Sequence, residues 1–241
     1  MEVELSIVVP ALNEQDNVGA LVGEIEAAVI TAGISAELIV VDDGSTDDTP
    51  RLLQELSEKH TWIRPIRHAD RMGQSAAMLT GFAAARGRWA ATLDADLQND
   101  PADLPAMLEK VRNGDADMVQ GARMKRQDSA WRKFGSWVGR STRRLLLGDP
   151  IRDTGCSTRV IATDIAKQLP LQFRGMHRFL PVYARMLGAT IIEMPVNHRP
   201  RNAGQTKYGN FSRAVAGLID CFAVRWMRKR LCAPPREGTE A

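Results

Sequence analysis

Trp89-Ala90-Ala91-Thr92-Leu93 runs directly into Asp94-Ala95-Asp96-Leu97-Gln98. A short, almost wholly apolar stretch of this kind reads as a strand buried on both faces. The carboxylates then fall just past its C-terminal end, where an open α/β sheet binds its ligands. Two aspartates with one spacer can share a hard divalent cation, and the amide oxygen of Gln98 adds a neutral donor. Such oxygen sets suit Mg2+ or Mn2+, which keep some waters and hold substrate phosphates. An isolated Asp-X-Asp is more often a solvated turn, so its meaning depends on what the rest of the chain brings beside it.

Two further apolar runs end in polar clusters. Leu5-Ser6-Ile7-Val8-Val9 leads into Pro10-Ala11-Leu12-Asn13-Glu14, and Leu38–Val41 leads into Asp42-Asp43-Gly44-Ser45-Thr46-Asp47. In a parallel sheet such ends meet at one edge, so Glu14, Asp42, Asp43, Asp94 and Asp96 are expected to line one crevice. Crowded carboxylates need a cation or hydrogen-bond donors to compensate them. Ser45 or Thr46 is expected to cap the helix that follows, with Asp43 turned to a ligand. Strand-like runs at Ile63–Arg67 and Met118–Gln120 continue the pattern, alternating with helical periodicity around Gln15–Thr31, Thr49–Lys59, Gly73–Ala85 and Asp103–Asn113. This alternation predicts an α/β fold, a mostly parallel central sheet with helices on both faces. Gly73-Gln74-Ser75 offers amides to a phosphate in principle, but reads more simply as a helix start.

At 241 residues, 44% of them hydrophobic and 25% charged, the chain is expected to be globular. A net charge of +3 is too small to imply nucleic acid as a partner, and no nucleic-acid-binding motif is present. The basic residues gather toward the C-terminal half, which favours anionic ligands or lipids. Cys156, Cys221 and Cys232 have neither disulfide nor metal-ligand spacing, so reduced thiols are expected. Residues 1–10 carry no basic leader, and neither a signal peptide nor a transmembrane span is expected. Residues 124–148 interleave basic residues with Trp131, Phe134, Trp137, Val138, Leu145, Leu146 and Leu147. A second amphipathic pattern carries Phe211, Val215, Leu218, Ile219, Phe222, Trp226 and Met227 and ends in Arg228-Lys229-Arg230. Asp220 and Arg225 interrupt it, so an interfacial helix is expected rather than a spanning one. The expected organisation is a catalytic-type domain over 1–209, a membrane-associating amphipathic helix over 210–232, and a disordered tail over 233–241.

Taken together, Pro10-Ala11-Leu12-Asn13-Glu14, Val41-Asp42-Asp43-Gly44-Ser45, Asp94-Ala95-Asp96-Leu97-Gln98 and the stretch from Arg201 through Lys207 closely resemble family-2 glycosyltransferases. Within them the chain looks most like the dolichol-phosphate mannosyltransferase and polyprenyl-phosphate glycosyltransferase branch, from residue 4 to about 230. The resemblance implies a GT-A, Rossmann-like fold, a nucleotide-sugar donor and Mg2+ or Mn2+ as cofactor. Position by position, it implies that Pro10, Leu12, Glu14, Val41 and Asp43 contact the nucleoside. Asp94 and Ala95 would flank the nucleotide, and Asp96 with Gln98 would ligate the metal. Arg123, in Gln120-Gly121-Ala122-Arg123, matches a basic phosphate position. Arg201 and Lys207 match the ends of a loop that closes over the phosphates. Asp153, in Asp153-Thr154-Gly155-Cys156-Ser157, resembles a residue that orients the acceptor or assists closure, with Cys156 where many members carry serine. His177 and His198 read as structural histidines.

The reaction so implied is inverting transfer of a sugar from GDP-mannose or a UDP-sugar to a polyprenyl or dolichyl phosphate. A phosphate monoester with a second pKa of about 6 is largely ionised at neutral pH, so no strong general base is required. Two alternatives stand beside it: transfer to a saccharide or other non-lipid acceptor, and a catalytically silent scaffold subunit, against which the intact acidic motifs argue. The expected location is the cytoplasmic face of a membrane, reached peripherally through Phe211–Leu231 and residues 131–147, or through a separate anchoring protein.

Overall fold

The computed structural model describes residues 2–123, 139, 141–199 and 210–232, the last segment with side chains from residue 216. Seven strands form one sheet in the order β3-β2-β1-β4-β6-β5-β7. They are β1 (Leu5–Ala11), β2 (Ala36–Asp42), β3 (Ile63–Arg67), β4 (Trp89–Thr92), β5 (Met118–Arg123), β6 (Arg159–Ala162) and β7 (Ile191–Val196). The described helices are α1 (Val18–Ile25), α2 (Thr49–Lys59), α3 (Gln74–Ala84), α4 (Leu104–Arg112), α5 (141–147), α6 (Thr163–Ala166), α7 (Leu180–Met186) and α8 (Asn210–Arg228). The α1 helix continues as a π-helical turn, Glu26–Ile30, so the single helical pattern read there changes pitch midway.

The centre of the sheet follows the apolar runs. β1 lies between β2 and β4, all parallel, with Pro10 opposite Val41 and Val8 opposite Thr92. Leu5, Ile7, Val8 and Val9 are wholly buried. The side chain of Val8 takes the space that a Cβ at Gly81 would fill, so α3 lies directly on β1 only because that helix position is glycine.

Two strands, β6 and β7, are not announced by the sequence, and β6 is the one that shapes the site. It runs antiparallel to both β4 and β5, with Arg159 opposite Thr92 on one side and Gln120 on the other. An antiparallel strand inserted there brings its first residues to the edge where its neighbours end. Thr158 and Arg159 therefore arrive beside the end of β4, and the segment preceding them crosses that edge.

At the opposite edge a buried polar network ties β1, β2 and β3 together. Ser6 Oγ donates to Glu37 Oε1 at 2.7 Å, the Arg86 amide donates to the same oxygen at 2.7 Å, and Arg64 pairs with Glu37 Oε2. Burial alone would push the Glu37 carboxyl up, but the hydrogen bonds from Arg64, Ser6 and Arg86 outweigh it and hold the carboxyl below its ordinary range. A carboxyl depressed in this way stabilises the fold above its unfolded pKa and loses that contribution as pH falls through the folded pKa. Glu37→Gln is expected to cost about 2–3 kcal/mol at neutral pH, since Arg64 keeps access to solvent while Glu37 is buried. Urea denaturation at pH 7 and at pH 4 would check it: the gap between wild type and variant should narrow at the lower pH.

On the other side, α8 packs its Cys221 and Val224 face inward, and Arg228 Nη1 donates to the last carbonyl of α5, Leu147 O, at 2.9 Å. Its outer face leaves Leu218, Ile219, Phe222 and Trp226 exposed by 46%, 62%, 56% and 60%. No described helix is long and apolar enough to cross a membrane. Residues 124–138 and 233–241, with the amphipathic and tail expectations placed on them, lie outside the described residues.

Candidate active site

The ends of β1, β2 and β4 meet at one edge as the parallel pattern requires, and the loops that follow are laced together. The Asn13 amide donates to Ser45 Oγ at 2.8 Å, the Thr46 amide to Asn13 Oδ1 at 2.9 Å, and the Glu14 amide to Thr49 Oγ1 at 2.8 Å. Ser45 and Thr46 thus do not cap α2 with their side chains: Ser45 holds the neighbouring loop, and the Thr49 amide is met by Asp47 Oδ1 at 3.0 Å. Gly44 takes φ of +75°, and a Cβ there would lie 2.8 Å from the Arg71 amide nitrogen. A glycine is required by both the conformation and the approach.

The adjacent aspartates have different duties. Asp42 accepts from the Ser45 amide at 2.9 Å and pairs with Arg67 at 3.3 Å. Asp43 receives the amides of Met72 at 2.9 Å and Gly73 at 2.7 Å, and lies 2.9 Å from His68 Nδ1. The Gly73 amide is therefore committed to a carboxylate of the protein rather than presented to a phosphate. Both aspartates are compensated by internal donors, and Glu14 Oε2 accepts from Asn17 Nδ2 at 2.6 Å, so the like-charge crowding expected of five acids narrows to Asp94 and Asp96. Pro10 lies within β1, with Leu12 and Glu14 beyond its end. Val41 and Ala95 are buried, so any ligand contact they make runs through their backbone. An open depression lined by Ser45, Thr46, Asp47, Pro50, Arg51 and Arg67 lies beside these loops. Both of its arginines already pair with protein carboxylates.

At the end of β4 the loop turns sharply, with Leu97 at φ of +60°. A leucine in the left-handed region is held there by its surroundings. Gln74 Nε2 donates to Asp94 Oδ1 at 3.0 Å, and the Gln98 amide to Asp96 Oδ1 at 3.2 Å. Burial first, and then the charge of Asp96, push the Asp94 carboxyl above its ordinary range, against the opposing pull of Ser157, Arg159 and Arg123. A cation would relieve that repulsion, and the donor atoms are the hard oxygens that Mg2+ or Mn2+ prefers. Gln98 Nε2 faces Arg199 O at 3.4 Å, so the carboxamide oxygen is the atom of this side chain that could meet a cation. Among the described residues no three His, Cys, Asp or Glu side chains are grouped to hold a metal ion.

Arg123, at the end of β5, grips Asp153 in a bidentate pair, Nε to Oδ2 at 2.7 Å and Nη2 to Oδ1 at 2.8 Å. A Cβ at Gly155 would come within 2.9 Å of Arg123 Nη2, so the segment curls around the guanidinium. The sequence reading missed the support beneath this pair. Gln120 is wholly buried and donates to the carbonyls of Gly121, Asp153 and Cys156, while Arg159 donates to Gln120 Oε1 at 2.7 Å and to Thr154 O at 3.1 Å. Burial pushes the Arg159 pKa down, countered by the charges of Asp94 and Asp153. Its signal in the sequence is an arginine heading an apolar tetrapeptide, legible only once β6 is known to be antiparallel. His177 hydrogen-bonds Ser75 Oγ at 2.9 Å, in keeping with a structural role, and His198 forms a bridge to Asn99. Arg201 and Lys207 lie outside the described residues.

The site therefore joins an acidic, cation-seeking loop to an arginine–carboxylate pair across one sheet edge. The sequence model described as "Glycosyl transferase family 2" matches residues 6–169. A dodecaprenyl-phosphate galacturonate synthase from Rhizobium johnstonii is 37% identical over 96% of this chain and 69% of its own length. An undecaprenyl-phosphate 4-deoxy-4-formamido-L-arabinose transferase from Pseudomonas aeruginosa is 35% identical over 93% of this chain and 66% of its own. The chain thus spans about two thirds of these relatives. Among solved structures, glucosyl-3-phosphoglycerate synthase from Mycobacterium tuberculosis, in complex with Mn2+, UDP and phosphoglyceric acid, superimposes with a TM-score of 0.68. It is 20% identical, over 97% of this chain and 80% of its own, a likeness of fold.

Proposed function

The chain belongs to glycosyl transferase family 2, and from that premise we propose that it moves a sugar, with inversion, from a nucleotide-sugar to a polyprenyl phosphate. The observation that carries this reading is the placement of the Asp94–Gln98 loop beside the Arg123–Asp153 pair at one sheet edge, in a chain whose two relatives described above are both named for a polyprenyl phosphate. A UDP-sugar is favoured over GDP-mannose, since UDP is the nucleotide named with the M. tuberculosis neighbour and neither relative's name includes mannose. Pro10, Leu12, Glu14, Val41 and Asp43 would hold the nucleoside, with Asp94 and Ala95 beside the diphosphate. Asp96 and Gln98 would hold Mg2+ or Mn2+, which supplies Lewis acidity to the departing diphosphate.

The acceptor phosphate is its own nucleophile, already ionised near neutral pH. The protein's remaining task is to bring two anions together and keep them aligned. Arg123, steadied by Asp153, places positive charge beside the Asp94–Gln98 loop, and Arg201 with Lys207 would add theirs. Purified protein given Mg2+ or Mn2+, a short polyprenyl phosphate and a panel of UDP- and GDP-sugars should yield one metal-dependent glycolipid by mass spectrometry. Product with a soluble sugar or phosphate acceptor and none with the lipid would overturn the acceptor assignment. Metal-dependent nucleotide binding with no turnover on any acceptor would favour a silent subunit.

A lipid acceptor places the protein at a bilayer, and the outer face of α8 is the proposed contact in preference to a separate anchoring protein. Its apolar stripe lies beside Arg225, Lys229 and Arg230, the combination that suits an anionic surface. Phe222→Ser with Trp226→Ser is expected to abolish co-sedimentation with anionic liposomes while leaving turnover of a water-soluble short-chain acceptor within about twofold, because both side chains lie outside the core. Retained sedimentation would remove this face from the assignment.

A further inference from the structure

Asn99 is a buried carboxamide with every polar atom engaged, and its partners belong to different parts of the site. Its Oδ1 accepts from the Asp94 amide at 3.2 Å and from Ser157 Oγ at 2.8 Å, and its Nδ2 donates to Thr158 Oγ1 at 2.8 Å. The backbone of Asn99 forms an antiparallel bridge with His198, and next to it the Arg199 amide donates to Gln98 O at 2.9 Å. Three segments therefore converge on one side chain and its neighbours: the acidic loop 94–98, the segment 153–158 that carries Asp153, and residues 198–199, which lead toward Arg201.

We infer that Asn99, acting with Ser157, is a positioning residue that locks the donor-side loop to the acceptor-side segment and so sets the distance between the two substrates. The inference rests on the transfer reading for its consequence, but the linkage itself is a property of the fold. The need for such a lock is physical. Leu97 stands in a costly left-handed conformation, so the loop requires fixing on both sides. Donor and acceptor are both anionic and repel, so alignment must come from rigid protein rather than from mutual attraction. Asn99 touches neither substrate in this assignment. It acts through the Asp94 backbone on one side and through Ser157 and Thr158 on the other.

Two measurements on the full chain test the linkage. In hydrogen exchange, Mn2+ with UDP should slow the amides of residues 153–158 in wild type and leave them unchanged in Asn99→Ala. In the transfer assay, glycolipid formation by Asn99→Ala should fall by about tenfold or more while hydrolysis of the donor by water persists, because a misplaced acceptor, unlike water, cannot adjust its approach. The ratio of hydrolysis to transfer should therefore rise, with the nucleotide dissociation constant little changed. A role confined to stability would lower both reactions in step with the folded fraction. Ser157→Ala removes one bond of the clasp without emptying a large space, and is expected to move the same ratio even where Asn99→Ala fails to fold. Where slowed exchange at residues 94–98 shows that Mn2+ and UDP have bound, unchanged exchange at 153–158 in wild type would refute the linkage, whereas no change at either segment would count against the transfer reading and not against the linkage. The glycolipid product of wild type, measured separately, decides whether the transfer reading stands.

Discussion

Asp96→Asn is expected to lower turnover by about 100-fold or more and to leave the free protein at least as stable as wild type. Metal-assisted stabilisation of a leaving group is worth several kcal/mol, and about 2.7 kcal/mol corresponds to 100-fold. The substitution keeps the local geometry, because Oδ1 of an asparagine still accepts from the Gln98 amide as Asp96 does at 3.2 Å. What it removes is charge. The carboxyl of Asp94 is pushed up by burial and then by Asp96. A carboxyl raised in the folded state costs stability at pH values where it is ionised, and that cost eases as pH falls. Neutralising residue 96 takes away the second cause, so the stability of the free protein should depend less on pH. Wild type is expected to melt at a higher temperature with Mn2+ and nucleotide, and the same change should abolish that shift, since a ligand stabilises only the state that binds it. Steady-state kinetics paired with thermal melts, with and without Mn2+, would check all three statements. Turnover near that of wild type in a folded Asp96→Asn protein would remove residue 96 from the metal site.

Opposite effects on stability and function at one residue reflect how legible the site was. Buried parallel strands read as continuous apolar runs, so Leu5–Val9, Leu38–Val41 and Trp89–Leu93 revealed the central strands, and the carboxylates past their ends revealed the edge. β6 escaped because a four-residue antiparallel strand headed by arginine has no periodicity to display. β7 escaped because Glu193 and Pro195 break its run of apolar residues. Once β6 is in place, Ser157, Thr158 and Arg159 acquire meaning, and so does Asn99, which in the sequence looks like a turn residue two positions before Pro101. Asp42 and Asp43 illustrate a different difficulty. They are adjacent and chemically identical, and only the path of the chain through Gly44 and Met72 decides which donors each one meets. The Ser45 hydroxyl, read as a helix cap, is instead claimed by the Asn13 amide, because two laced loops offer it a closer partner than its own helix.

The Arg123–Asp153 pair yields the second large effect, one that separates structure from chemistry. Both side chains are mostly buried, at 16% and 9% exposure, and the contact is bidentate. Arg123→Met leaves the Asp153 carboxylate without its main counter-charge, which is expected to cost about 3 kcal/mol, the low end for breaking a buried pair. The Asp153→Asn change in the Arg123→Met background removes the stranded charge and should recover most of that loss, because an amide can still accept from the backbone at residue 123 as Asp153 does at 3.2 Å. Turnover should not recover. If Arg123 supplies charge to a substrate phosphate, removing it costs about 100-fold whether or not the fold is restored, an effect of the size seen when one stabilising donor is lost. Chemical denaturation and kinetics on the two single variants and the double variant form a complete cycle. Stability that returns together with activity would make the pair a structural brace. Stability that returns without activity would place Arg123 among the groups that touch the reacting phosphates, with Asp153 as the residue that aims it.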